Sequence, residues 1–137
     1  MSLFSVFEVS GSGLSAQTLR LNTVSSNLAN ADSISRSEKD AYRSRQPVFS
    51  QLVNKFSANK EVTGVKVLGI VESKAAVRSE YRPDHPMADE NGKVYFSNVN
   101  SIEEMANMIS ASRSYQNNIE VMNTSKQLLL RTLTMGQ

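Results

Sequence analysis

The sequence predicts a mainly α protein with a small β-rich middle unit, its long N- and C-terminal helices packed antiparallel as a coiled-coil-like pair. Three observations predict it: a heptad row of apolar residues near the start, a β-branched run in the middle, and a long proline-free apolar series at the end. These divide the 137 residues into four segments. Residues 1–31 are an N-terminal helical segment and 32–61 a polar loop with an apolar connector. Residues 62–100 form the β-rich unit, and 101–137 the long helix that makes the core with 1–31.

Phe7, Leu14, Leu21 and Leu28 recur at heptad spacing, with Val24 and Ala31 on the neighbouring row. This pattern predicts a helix from Gly13 to Asn30 with a narrow apolar seam, its other face carrying Gln17, Arg20, Asn22, Ser26 and Asn27. Gly11 and Gly13 each cost a helix about 1 kcal/mol relative to alanine. Residues 1–12 are therefore expected as a separate short helix, or as a segment that orders only with a partner. Asn30 is the expected stop, since asparagine tolerates the left-handed conformation.

Ser33 to Arg45 is charged and polar, and reads as a solvated, mobile loop. After Pro47, the cluster Val48, Phe49, Leu52, Val53 and Phe56 fits a strand, a short helix or both; its pattern does not separate them. Val62 to Val71 is dense in β-branched residues and reads as a strand. Val65, Val67 and Gly69 lie on one face of it, and Lys66, Leu68 and Ile70 on the other. A second extended piece covers Ala75 to Tyr81. Pro83 and Pro86 make the next residues irregular, Asp89 to Gly92 is a turn, and Lys93 to Phe96 is the return strand.

Ser101 followed by Glu104 reads as a capping box. The apolar series then runs Met105, Met108, Tyr115, Ile119, Met122, Leu129 and Leu133, in three-four alternation if Ser112 and Lys126 are counted as polar members. Ile102, Ile109 and Leu130 widen the stripe. A helix from Ile102 to Met135 would be about 50 Å long. The methionines read as adaptable seam filling. Leu14, Leu21, Val24, Leu28, Asn30, Met105, Met108, Ile109, Tyr115, Ile119, Met122, Leu129 and Leu133 are the candidate helix-packing and subunit-interface residues.

Two such helices bury only one side of each. Ile109, Ala111, Leu130 and Val6 are expected to stay exposed in a single chain, and exposed apolar stripes mark interaction surfaces. Polar interruptions at Gln17, Ser112 and Lys126, with many nearby asparagines, weaken the seams but select register and partner. Two readings fit: a subunit completed by neighbouring copies, or a self-contained helical hairpin with ordinary surface polar residues.

Composition narrows the chemistry. The net charge is +2 with a sequence pI near 9.0, a weak case for nucleic acid or an acidic membrane as partner. With no cysteine, disulfides, thiolate metal sites and a cysteine nucleophile are excluded. The single histidine, His85, stands between Asp84 and Pro86; a metal site needs three or four convergent ligands. Glu103 and Glu104 point in different directions and are no acid-base pair. No catalytic residue, metal ligand or cofactor site is predicted, and His85 reads as a loop residue in contact with a neighbour. Arg36, Lys39, Arg43 and Arg45 read first as a solvated basic loop, and more sharply as a contact for an acidic surface on another subunit. No run of residues is apolar enough to span a bilayer, and the N-terminal residues lack the pattern of a cleavable secretory signal.

Asn22-Thr23-Val24-Ser25-Ser26-Asn27-Leu28-Ala29-Asn30-Ala31-Asp32-Ser33 resembles the N-terminal signature of bacterial flagellar rod proteins, in which Asn-Leu-Ala-Asn ends the first helix. Three further stretches narrow the resemblance to the FlgC family of proximal rod proteins: 42–49, 85–100 and 104–116. The tail, 132–137, also matches. Two positions depart from the family pattern, Lys93 where an aromatic is frequent and Ser97 where a proline is. The resemblance implies a subunit of the rod, the shaft that crosses the periplasm in the flagellar basal body. It implies export through the flagellar type III apparatus without signal cleavage. The implied partners are other copies of the chain, other rod proteins and the basal-body junction protein FliE, with no nucleic acid and no membrane insertion. The implied role is mechanical: terminal helices packed into a hollow tube that transmits torque.

Overall fold

The computed structural model describes residues 3–53 and 62–135. In chain order the elements are α1 (Leu3–Ala29), β1 (Ile34–Ser35), β2 (Arg45–Val53), β3 (Val62–Glu72), β4 (Arg78–Tyr81), β5 (Lys93–Phe96) and α2 (Ser101–Met135). The chain forms two compact units. One gathers Met1–Leu21, Pro47–Gly69 and Ile109–Gln137; the other gathers Asn22–Gln46 and Ile70–Met108. The first unit joins the early part of α1 to the later part of α2, and the second joins the end of α1 to the start of α2. The two helices therefore pack together antiparallel.

α1 runs without a break through Gly11 and Gly13, so the expected start near Gly13 is corrected to Leu3. Gly13 allows a close approach: a Cβ there would come within 3.1 Å of Asn118 Nδ2. Packing of this kind outweighs the glycine penalty. The helix ends at Ala29, and Asn30 stops it with its side chain. Its Nδ2 donates to the Ser26 carbonyl at 2.8 Å, while its backbone N–H reaches the carbonyls of Ser26 and Asn27. Two carbonyls with no partner inside the helix are satisfied in this way.

α2 begins at Ser101, but its cap differs from the expected Ser101–Glu104 box. Asn100 Oδ1 accepts the N–H groups of Ile102 at 3.1 Å and Glu103 at 3.4 Å. The Asn100 carbonyl accepts the Glu104 N–H at 3.0 Å. Asn100 is therefore the N-cap, which frees the Glu104 side chain to turn inward, where it is buried.

The helix faces also differ from the expected seams. On α1 the buried residues are Ser10, Ala16, Thr23, Val24 and Asn27, continued by Ala31. Leu14, Leu21 and Leu28 are only half-buried, on the flank of that line. On α2 the innermost row is Glu104, Ala111 and Ser125, with Asn118 half-buried in the same heptad phase. Met108, Tyr115, Met122 and Leu129 form the half-buried row beside it. Ala111, expected on the surface, has 0% exposure. Met105, expected in the seam, is exposed. Small residues contribute to this: at Gly13 the missing side chain leaves room for Asn118, and Ser10, Ala16, Ala111 and Ser125 take buried places that longer side chains flank.

The middle residues make two small sheets. β5 lies between β1 and β4, antiparallel to both, with Ile34 opposite Phe96 and Tyr81 opposite Lys93. Val94 on β5 is fully buried. β2 pairs with β3 in a two-stranded sheet, which resolves the cluster after Pro47 as strand through Val53; Phe56 lies outside the described residues. Both faces of β3 are largely exposed beyond its start, Leu68 and Ile70 on one and Val65 and Val71 on the other; at its start Gly64 is buried against Ser12 of α1, whose Oγ accepts the Val65 N–H at 3.1 Å. The expected turn at Asp89 to Gly92 is present, with Gly92 at φ +71°. Residues 33–45 are not a uniformly solvated loop: Ile34 and Ser35 form β1, and Ala41 and Ser44 are buried.

Replacing Asn100 with alanine should lower stability to urea by about 1 kcal/mol, read by far-UV circular dichroism. The matching Ser101→Ala change should leave the midpoint within a few tenths of that unit, because Ser101 is not the cap.

Candidate helix-end clamp and assembly surfaces

The best-built polar site surrounds Asn27. Its side chain has 0% exposure and acts as a backbone partner for Arg45. Oδ1 accepts the Arg45 N–H at 2.9 Å and Nδ2 donates to the Arg45 carbonyl at 2.8 Å. The Tyr42 hydroxyl donates to the same Oδ1 at 3.0 Å and lies 3.2 Å from Ser26 Oγ. An amide is suited to this task because it offers both a donor and an acceptor. Together they hold the segment 42–45 against the last turn of α1.

The same segment is held from its other side. The Ser44 N–H donates to Asn98 Oδ1 at 2.7 Å, and Asn98 Nδ2 donates to the Ala75 carbonyl at 2.9 Å. Ser44 Oγ donates to Glu104 Oε1 at 3.4 Å and lies 3.4 Å from Asn27 Nδ2. Its carbonyl accepts the Ser73 N–H at 2.7 Å. Glu104 Oε2 is buried with no hydrogen-bond partner among the described residues. A clamp of asparagine, serine and glutamate thus ties the end of α1, the start of α2 and the strand segments between them.

The basic residues near this clamp largely bind within the chain. Arg45 pairs with Glu72 at 3.1 Å and lies 5.5 Å from the centroid of the Tyr42 ring. Arg43 donates to the Ala75 carbonyl at 3.1 Å, and Arg36 to the Pro86 carbonyl at 3.4 Å. His85 Nδ1 accepts the Met87 N–H at 3.1 Å, bracing its own loop.

The candidate interface residues divide into two groups. Val24 is buried; Leu14, Leu21, Leu28, Asn30, Met108, Tyr115, Met122 and Leu129 are half-buried. Met105, Ile109, Ile119 and Leu133 are exposed, Ile109 by 56% and Leu133 by 62%. A helix advances about 100° per residue. Met105, Ile109, Ile119 and Leu130 therefore stand to one side of the row Glu104, Ala111, Asn118 and Ser125. Val121, Leu128 and Met135, all exposed, stand to the other side. α2 has apolar surface on both flanks of its packed row. Among the described residues no helix is long and apolar enough to cross a membrane.

The sequence reading placed Asn27 on the outer face and missed Ser44, Asn98 and Glu104 as one site. A signal for Asn27 was present: it stands three residues after Val24 and four before Ala31, in phase with the buried line. Replacing Asn27 with alanine would take this partner from the Arg45 N–H and carbonyl and leave the Tyr42 hydroxyl only Ser26 Oγ. The expected loss is about 2–4 kcal/mol in urea unfolding. Asn27→Asp should also destabilise, since it keeps the acceptor but replaces the donor with charge.

The chain is similar in sequence to known proteins at both of its ends and over its full length. A family model described as flagella basal body rod protein matches residues 7–33. A second, described as flagellar basal body rod FlgEFG protein C-terminal, matches residues 90–135. The matches thus fall on α1 with its end clamp and on β5 with α2. The flagellar basal-body rod protein FlgC of Salmonella typhimurium is 47% identical over 137 residues, covering 100% of both chains. The FlgC protein of Yersinia enterocolitica is likewise 47% identical over the full length of both, and that of Buchnera aphidicola subsp. Acyrthosiphon pisum is 42% identical over 139 aligned positions. The chain belongs to the FlgC family of flagellar basal-body rod proteins.

Proposed function

We propose that the chain is a non-catalytic structural subunit of the flagellar basal-body rod, self-assembling through its terminal helices into the hollow shaft that transmits torque across the periplasm. The observation that carries this reading is the placement of apolar residues. Among the described residues the buried apolar side chains are alanine and valine: Ala16, Val24, Ala31, Ala41, Val94, Val99 and Ala111. The large ones on α2, among them Ile102, Ile109, Leu128 and Leu130, are exposed. Each such side chain gains about 1.5–3 kcal/mol on full burial. A helix with apolar flanks on both sides of an occupied face has room for two further neighbours, as a shaft requires and a stand-alone hairpin does not.

The neighbours in this reading are other copies of the chain, other rod proteins and the junction protein FliE. The candidate interface residues then serve in two ways. Leu14, Leu21, Val24, Leu28, Asn30, Met108, Tyr115, Met122 and Leu129 set the α1–α2 pair, while Met105, Ile109, Ile119 and Leu133 meet the next subunit. The location is the periplasmic part of the rod, reached through the flagellar export apparatus with the N-terminus uncleaved. Torque passes through many apolar contacts of modest individual strength.

The triple variant Ile109→Gln, Ile119→Gln, Leu130→Gln separates assembly from folding. Each substitution is at an exposed site, so urea unfolding of the single chain should shift by no more than about 0.5 kcal/mol per site. In a strain lacking the wild-type gene it should fail to restore motility, and isolated basal bodies should lack a complete rod. Wild-type motility from this variant would overturn the assembly surface. A stoichiometric complex of the wild-type chain with FliE that never extends to a polymer with other rod subunits would favour a stand-alone binding module instead.

A further inference from the structure

The connection from β4 to β5, residues 82–92, is long for a hairpin, and its outer residues Tyr81, Arg82, Pro83, Asp84 and Pro86 are exposed. Tyr81 to Pro86 surround an open hollow of about 460 Å³. With little buried apolar surface, the loop depends on its hydrogen bonds: its first half is held by Arg82, His85 and Ala88 backbone bonds and by His85 Nδ1, and those of its second half converge on one side chain. Asp89 Oδ1 accepts the N–H of Asn91 at 2.9 Å and of Lys93 at 2.8 Å. Asp89 Oδ2 accepts the Tyr95 hydroxyl at 3.2 Å. The backbone of Asp89 closes the same turn, donating to the Lys93 carbonyl at 2.8 Å and accepting from the Gly92 N–H at 3.0 Å. Gly92 completes the turn at φ +71°, where a Cβ would press on Tyr81 and Pro83.

We propose that Asp89 is an acid-operated latch on the 82–92 loop: its carboxylate holds the loop closed against β5, and its protonation opens the loop while the helices stay folded. Protonation at Oδ2 leaves Oδ1 a neutral carbonyl oxygen, so the Asn91 and Lys93 N–H bonds lose the strength that the charge gives them, and the bond to the Tyr95 hydroxyl must reverse or break. The Lys93 backbone N–H, first among the causes, holds the Asp89 carboxyl below its ordinary value of 3.8; partial burial opposes this, and the Asn91 N–H, the Tyr95 hydroxyl and the Lys93 charge add to it. The bond to Asp89 in turn pushes the Tyr95 hydroxyl up, with smaller contributions from burial and from the charges of Asp89 and Glu38. The other charged or titratable groups around the loop are Arg36, which donates to the Pro86 carbonyl, Glu90, Asp84, His85, and Arg82 in its pair with Glu80. A carboxyl with a lowered folded value stabilises the closed loop above the unfolded value, and that stability is lost as pH falls through the folded one.

The test is amide exchange and chemical shift on the full-length ¹⁵N-labelled chain, from neutral pH to below 3.8. The Asn91 and Lys93 amides should move together with one midpoint below that value. Their protection, corrected for intrinsic exchange, should fall about tenfold across it, the scale of a lost hydrogen bond to a charged group. Amides of α2 should keep theirs. Asp89→Asn keeps an acceptor but cannot titrate, so the shared midpoint should vanish; Asp89→Ala should show the open-loop shifts already at neutral pH. Protection at Asn91 and Lys93 that survives below the Asp89 midpoint would overturn the latch. So would α2 losing protection in the same step, or a midpoint that persists in Asp89→Asn.

Discussion

The amide of Asn27 supports the arrangement on which the rest of this structure depends. A helix that ends against an irregular segment leaves backbone groups of that segment without regular partners, and burying them unpaired costs about 1–3 kcal/mol each. Asn27 takes the Arg45 N–H and carbonyl together, as a neighbouring strand would. With those groups satisfied, Ala41 and Ser44 can be buried, and Ser44 can reach Glu104 at the start of α2. The Asn100 cap is part of the same solution. Because Asn100 supplies the capping oxygen, the Glu104 side chain is free to face inward rather than back toward its own helix end.

Much of the coarse fold is legible in the sequence, because it follows from long periodic signals. The extent of α2 follows from a series without proline, β3 from its β-branched run, and the turn before β5 from Asn91-Gly92. What is not legible is which of several nearby rows on each helix is innermost. Hydrophobicity points to Leu14, Leu21 and Leu28 and to the row containing Met105 and Ile119. Burial instead falls on Ser10, Ala16 and Asn27 on one helix and on Ala111 and Ser125 on the other, with Gly13 against Asn118 between them. Periodicity scores the two choices nearly alike. Backbone proximity decides between them, and it depends on both helices at once.

The clamp was hidden for a related reason. Asn27, Ser44, Asn98 and Glu104 are residue types usually found on surfaces, and nothing in their local spacing says that they meet. Glu104 was attributed to a capping box because Ser101 stands three residues before it, a local pattern that a stronger cap at Asn100 displaced. The basic cluster at 36–45 misleads in the same direction. Three of its four cations, Arg36, Arg43 and Arg45, bind carbonyls, a carboxylate or a ring within the chain, so its charge is largely used internally.

The inner row of small and polar residues has a consequence for assembly. The innermost rows bury mostly small and polar side chains, and Leu14, Leu21, Leu28, Met108, Tyr115, Met122 and Leu129 are left half-buried beside them. On α2 further large side chains, Met105, Ile109, Leu128 and Leu130 among them, are exposed. A seam filled with leucine would separate the helices and draw those side chains inward, giving a more stable hairpin with less to offer a neighbour. In the rod proposed above, these exposed side chains are the groups that neighbouring chains would cover.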